Sequence, residues 1–294
     1  MTEIIDQLSD ISDQYKAVFC DLWGCLHNGL TPFPDALKAL ERYKADGGIV
    51  LLLTNSPRPK QGVIDQLRQI GVSDDLWDEI ATSGDSARLA LASGMVGQKI
   101  FHLGPDRDLG FYAPGSTDLL QGLENIERVP LEKAEGIVCT GLFDDTSETP
   151  DDYRALLLEA KNRKLKFLCA NPDIIVDRGE TRIYCAGALA QAFTELGGES
   201  LYFGKPHPPI YDLARLRLTR ITGNSIPDRK ILCIGDGIGT DIRGAMGEDF
   251  DALFITGGLA ASETKTKRDP DTAALDNYLA TQQYDPRYSI GTLR

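Results

Sequence analysis

The sequence predicts an α/β fold: a Rossmann-like parallel-sheet core with a second α/β layer inserted into it. Three observations carry this expectation. Short apolar runs rich in β-formers alternate with helical stretches of about ten to fifteen residues, the arrangement that builds right-handed βαβ units. Several of those runs stop abruptly at polar groups, 17–20 at Asp21, 49–53 at Thr54 and 230–234 at Gly235-Asp236. The texture changes near Gly97 and the first pattern resumes near Leu201, leaving an interval of about a hundred residues, long enough for an α/β layer of its own.

The elements follow in order. Residues 1–14 are acidic and polar, with Ile4, Ile5, Leu8 and Ile11 at helical spacing and no charged-then-apolar leader. Residues 17–20 read as a buried strand that delivers Asp21 to its carboxyl end, before a loop holding Gly24 and Gly29. A helix over 34–45, apolar at Ala36, Leu37, Leu40 and Tyr43, ends at Asp46-Gly47-Gly48. Strand 49–53, helix 59–70, strand 79–83 and helix 85–93 complete the first part of the core. In the interval, 99–103, 136–140 and 166–170 read as strands, and 117–123, 150–163 and 187–196 as helices. Strand 201–203, helix 210–218, buried strands 230–234 and 252–256, and an amphipathic helix near 272–279 follow. The core is therefore expected over 1–90 and 199–294, with the insertion at 91–198.

Bulk composition narrows the function. Apolar residues at 42% and charged residues at 26% are ordinary for a globular enzyme. A formal charge of −13 supplies no cationic surplus for nucleic acid or an anionic membrane, although a few local cations and a metal can still invert the field within one cleft. The six cysteines contain no C-x-x-C pair and read as buried reduced thiols, and no apolar run is long enough to span a bilayer, so a cytoplasmic protein is expected.

Asp21 alone is a metal ligand, a covalent nucleophile or a turn residue. Four strand ends carry polar groups: Asp21, Thr54-Asn55, Lys205, and Asp236 with Asp241. If the four strands are parallel, these groups converge along one edge of the sheet, where open α/β sheets bind ligands. Such a set suits phosphoryl transfer. Asp21 and Asp236 can share Mg²⁺, Lys205 and the metal neutralise a phosphoryl group, Thr54 and the Asn55 backbone donate to its oxygens, and Asp21 attacks phosphorus. A dinucleotide loop at 235–240 lacks its third glycine, and no P-loop exists. Asp241 either caps the helix that follows it or orients the metal ligands without touching the ion. Arg58 reads as an exposed helix-start arginine, His207 as structural, and Trp77 and His102 as packing residues.

These motifs resemble the haloacid dehalogenase (HAD) superfamily of aspartate-nucleophile hydrolases. Asp21 matches its nucleophile, Thr54 the second-motif hydroxyl, Lys205 the third-motif lysine, and Asp236 with Asp241 the acidic fourth motif. The order of Leu53-Thr54-Asn55-Ser56, Asn171-Pro172-Asp173, Gly187-Ala188-Leu189 and Gly204-Lys205-Pro206-His207-Pro208 is similar to subfamily IIA, the sugar-phosphate, nucleotide and pyridoxal phosphatases. The resemblance implies a Mg²⁺-dependent phosphatase of a small phosphorylated metabolite, with the insertion as a C2-type α/β cap that reads the leaving group. It also implies that Trp23, Asn55, Ser56, Asn171 and Asp173 line the substrate, that the Trp23 carbonyl joins the metal, and that a homodimer through the cap is open. One position departs: the family's acid–base aspartate, two residues after the nucleophile, is Trp23 here. A slow phosphatase, one assisted by His27 as acid/base, and a weak phosphate-ligand binding or regulatory scaffold follow from that departure, in that order of preference.

Overall fold

The computed structural model describes residues 2–113, 122–178 and 181–294. Its strands are β1 (Glu3–Ile4), β2 (Ala17–Cys20), β3 (Ile49–Thr54), β4 (Glu79–Thr82), β5 (Lys99–Leu103), β6 (Glu127–Arg128), β7 (Gly136–Cys139), β8 (Lys166–Cys169), β9 (Ile175–Arg178), β10 (Thr181–Tyr184), β11 (Glu199–Tyr202), β12 (Ile231–Gly235), β13 (Asp251–Ile255) and β14 (Tyr288–Ile290). The α-helices are α1 (Pro34–Ala45), α2 (Lys60–Gln69), α3 (Ser83–Ala92), α4 (Arg154–Asn162), α5 (Ala186–Glu195), α6 (Pro208–Thr222), α7 (Arg243–Gly247) and α8 (Thr272–Gln282). No helix among the described residues is long and apolar enough to cross a membrane.

One compact unit comprises Met1–Thr54, Gln66–Ala81 and Tyr211–Arg294. Its seven-stranded sheet has the order β1-β14-β13-β12-β2-β3-β4. The pairs from β1 through β3 are parallel. All four residues of β2 and all five of β12 are buried, as expected of central strands covered on both faces. The helical spacing at the N-terminus proves to serve other elements. Glu3–Ile4 pairs with Tyr288 and Ser289 of β14, while Leu8 and Ile11 are buried within and beside two 3₁₀ turns. The Glu3 and Ile5 N–H groups donate to Arg287 and Ser289 carbonyls at 3.0 Å, so backbone pairing there outweighs the amphipathic pattern.

The other unit comprises Asn55–Asp65 and Thr82–Ile210. Its five-stranded sheet, β11-β8-β7-β5-β6, is parallel throughout. Period-2 alternation assigns the side chains to two faces. Ile137, Cys139, Phe167 and Cys169 pack with Leu157 of α4 and Leu189 and Phe193 of α5, whereas Val138 and Leu168 pack with Ala87 and Leu91 of α3. Two assignments change. The helix read as the end of the first core segment is α3, whose apolar face covers this second sheet. The strand read as reopening the core is β11, which pairs with β8. Consequently three of the four polar strand ends, after β2, β3 and β12, belong to the seven-stranded sheet, and Lys205 follows a strand of the five-stranded one. The helix expected at 117–123 lies outside the described residues up to 121, and Leu123–Asn125 is a 3₁₀ turn.

Candidate active site

The site in the first unit starts where the β2–β12 ladder runs out. The Asp21 N–H still donates to the Ile234 carbonyl at 2.8 Å, so its carboxylate emerges at the last paired position. The chain then folds back, with Leu26 N–H on the Leu22 carbonyl at 2.8 Å and Gly24 N–H on the His27 carbonyl at 2.9 Å. Gly24 has φ +75°, and a Cβ there would overlap the Asp236 carboxylate. Gly258, beyond β13, crowds the same carboxylate, and the Leu259 N–H donates to Asp236 Oδ2 at 3.2 Å. Backbone therefore fixes where Asp236 points, and side chains at those two glycines would fill its place.

Asp241 lies in a π-type turn, Ile238–Ile242, not at the N-terminus of a helix that it caps. Its buried Oδ2 accepts from the Gly237 N–H at 3.0 Å, bracing the loop that presents Asp236. Thr54 ends β3 and is buried.

Ligand atoms of Asp21, Cys25 and Asp236 all lie within 4.8 Å of one another, and all three residues are buried. Two clustered carboxylates under a close backbone shell fit a small hard cation, which needs few carboxylates and keeps its remaining positions for water and substrate oxygens. Cys25 escaped the sequence reading, which took every cysteine as a packing thiol. Its spacing of four residues from Asp21 in a reversing loop is the signal that could have found it.

Trp23 is partly buried and meets the His27 ring edge-on, with centroids 5.3 Å apart, and a Cβ on Gly29 would overlap the indole. His27 is 1% exposed, and its Nδ1 accepts from the Gly29 N–H at 2.9 Å. Burial lowers its pKa from 6.5 to about 4, so the imidazole is neutral at physiological pH. A group of this kind orders the loop. It does not suit the acid–base role that its position suggested, because that role wants a pKa near the working pH.

Burial of His27 has a consequence for stability. Unfolded chains bind a proton on this histidine from pH 6.5 downward, whereas the folded chain does so only near pH 4, so about 3 kcal/mol is lost progressively across that window as pH falls. Urea midpoints of wild type and His27→Asn across the window should show a flatter pH dependence in the variant; identical slopes would contradict the assignment.

In the second unit, the Asn55 side chain clasps Lys205. Asn55 Oδ1 accepts from the Lys205 N–H at 2.7 Å, and its Nδ2 donates to the Lys205 carbonyl at 3.0 Å and to Asp173 Oδ1 at 2.8 Å. Every hydrogen-bonding group of that amide except one lone pair is thereby engaged. Asn171 Oδ1 accepts from the Asp173 N–H at 3.1 Å in an Asx turn, which aims the Asp173 carboxylate. A Cβ on Gly204 would strike Asn55 Oδ1, Ser83 Oγ and Pro172, so the residue before Lys205 must be glycine for this clasp to close. Lys205 itself is 2% exposed. The Ser56 hydroxyl accepts from the Arg58 N–H at 3.3 Å.

The residues read as structural behave so. His207 stacks on Tyr202 with centroids 4.8 Å apart, and His102 Nδ1 pairs with the Tyr112 hydroxyl at 2.9 Å. Trp77 is partly buried. Arg58, read as exposed, instead stands 4.0 Å from the buried Asp108 carboxylate.

Comparison with known proteins bears on this arrangement. The profile of haloacid dehalogenase-like hydrolases matches residues 18–112, and that of HAD-hydrolase-like domains matches 202–280. A haloacid dehalogenase-like family hydrolase from Brucella suis 1330 is 43% identical, covers 99% of this chain and 100% of its own, and superposes with a TM-score of 0.85. The chain belongs to the haloacid dehalogenase-like hydrolase family. Within it, the 5'-nucleotidase YutF of Bacillus subtilis (strain 168) is 25% identical over 267 residues, 90% of this chain and 96% of that protein, in keeping with subfamily IIA. The fold is shared by a magnesium complex of glycerol phosphate phosphatase Rv1692 from Mycobacterium tuberculosis, with 21% identity, 85% of this chain and 70% of that one covered, and a TM-score of 0.64.

Proposed function

We propose that this HAD-like hydrolase is a Mg²⁺-dependent phosphatase of a small phosphorylated metabolite, acting through an aspartyl-phosphate on Asp21. The observation that carries the reading is the pairing of Asp21 with Asp236 within 4.8 Å at the ends of adjacent strands. In this reading Asp21, Asp236 and the Trp23 carbonyl would hold Mg²⁺, with Asp241 bracing the Gly237 loop. When bound, the ion neutralises phosphoryl oxygens and lowers the cost of bringing two anions together. Lys205 and the Thr54 hydroxyl bind the remaining oxygens, and the Asn55 and Ser56 backbones, Asn171 and Asp173 shape the surroundings. We read the inserted α/β segment, placed at 91–198 from the sequence, as the cap that selects the leaving group.

Asp21 Oδ forms the bond to phosphorus as the ester P–O bond breaks. Water then attacks phosphorus, releasing inorganic phosphate and the Asp21 carboxylate. The Trp23 indole N–H is too weak an acid to protonate the departing alkoxide and the ring has no basic lone pair to activate that water, so both protons move through solvent and both steps are slow. The same observation favours the second reading, a phosphate-ligand binding or regulatory protein on this fold. We also assign it to the cytoplasm with no nucleic-acid or membrane partner, on its charge of −13 and six buried cysteines that form no disulfide.

Phosphate release from a panel of sugar phosphates, nucleoside monophosphates and glycerol phosphate, with Mg²⁺ and again after chelation, tests the proposal. At least one ester should be hydrolysed and chelation should abolish it. Release that survives chelation removes the metal; release from none favours the binding protein.

A further inference from the structure

Six cysteines are buried, but their thiols are used differently. Cys20 donates to the Asp21 carbonyl at 3.2 Å, Cys139 to that of Gly141 at 3.5 Å, and Cys169 to that of Asn171 at 3.2 Å. These are thiols satisfied by backbone. The Cys25 thiol, 1% exposed, makes no hydrogen bond among the described residues and points at two carboxylates instead. Nothing in core packing asks for a polarisable sulfur beside paired acids.

Donor type decides what such a corner holds. Mg²⁺ has little use for sulfur, whereas Cd²⁺ and Zn²⁺ take thiolate and carboxylate together. On a tetrahedral zinc-sized ion, with sulfur at about 2.3 Å and oxygen at about 2.0–2.2 Å, neighbouring ligand atoms lie about 3.5 Å apart. The ligand atoms of Asp21, Cys25 and Asp236 lie within 4.8 Å of one another, so they would draw in by up to about 1.3 Å to hold such an ion.

We propose that Cys25 makes the Asp21–Asp236 site a trap for thiophilic divalent ions, with its sulfur as a third protein ligand alongside the two carboxylates. The inference rests on the reading of that site as the metal site. On binding, the metal–sulfur bond forms and the thiol proton passes to the buffer. An ion held this way also ties down Asp21, and Cd²⁺ or Zn²⁺ opposes turnover rather than supporting it.

The test is titration of the chelator-treated full chain with Cd²⁺, followed through the ultraviolet sulfur-to-cadmium charge-transfer band, for wild type, Cys25→Ser, Cys20→Ser and Asp236→Asn. Wild type and Cys20→Ser should develop the band at one equivalent, and excess Mg²⁺ should suppress it. Cys25→Ser should lose it. Should Cys25→Ser fail to fold by circular dichroism, Asp236→Asn decides: the sulfur remains, so the band should persist but require more Cd²⁺. A band that survives in folded Cys25→Ser, or an Asp236→Asn titration identical to wild type, overturns the proposal. Calorimetric Mg²⁺ binding without a Cd²⁺ band overturns the sulfur ligand but leaves the metal site standing, whereas binding of neither ion overturns both.

Discussion

Replacing Trp23 with aspartate raises turnover of an alkyl phosphate by about 10²–10⁴-fold, the range that positioned acid–base catalysis contributes. Trp23 occupies the position at which the family keeps its acid and base, and neighbouring His27 is locked neutral by burial and by the Gly29 N–H. In the proposed mechanism neither Trp23 nor His27 therefore serves either proton. In kcat/KM, which reports the steps up to leaving-group departure, the gain should shrink for an activated aryl phosphate, whose leaving group departs without a proton, so the ratio of the two substrates separates restored acid catalysis from a general change. Steady-state kinetics of both esters, with circular dichroism to show that loss of the Trp23–His27 contact leaves the fold intact, checks it. An equal gain in kcat/KM on both esters, or none on either, would contradict the role given to position 23.

Asp21→Asn removes turnover by on the order of 10⁴-fold or more, the scale of loss when a covalent nucleophile is deleted. Asparagine keeps the size of the side chain and the Asp21 N–H bond to Ile234, so the β2–β12 register should survive. The variant loses both the nucleophile and one metal ligand, and Mg²⁺ saturation curves for the residual activity distinguish these. If only the metal mattered, high Mg²⁺ would restore the rate; a nucleophile's loss is not restored.

The sequence made the site legible unevenly, for physical reasons. Buried central strands such as β2 and β12 announce themselves because parallel sheets covered on both faces need unbroken apolar runs, and the polar residue that ends each run marks the candidate site. Asp21, Thr54 and Asp236 were therefore visible. The N-terminal strand and its partner β14 were not, because two and three residues carry no periodicity of their own and Ile4 could serve either a helix or a strand. Sheet membership was equally hidden: nothing in Glu199–Tyr202 says that its partner is β8, and α3 shows an apolar face without saying which sheet it covers. The use made of Asn55 depends on Lys205, 150 residues away, and Cys25 looked like the other buried thiols until its distance to two carboxylates was known.

Missing acid–base help at Trp23 slows the second step as well as the first, so the covalent intermediate should accumulate. Acid-quenching the enzyme within its first turnovers of an activated phosphate ester, then mapping peptides by mass spectrometry, observes this directly. Phosphoryl mass on the peptide carrying Asp21, labile to hydroxylamine and absent from Asp21→Asn, is the predicted result. Turnover with that peptide unmodified, or with the phosphoryl group on another residue, would contradict it.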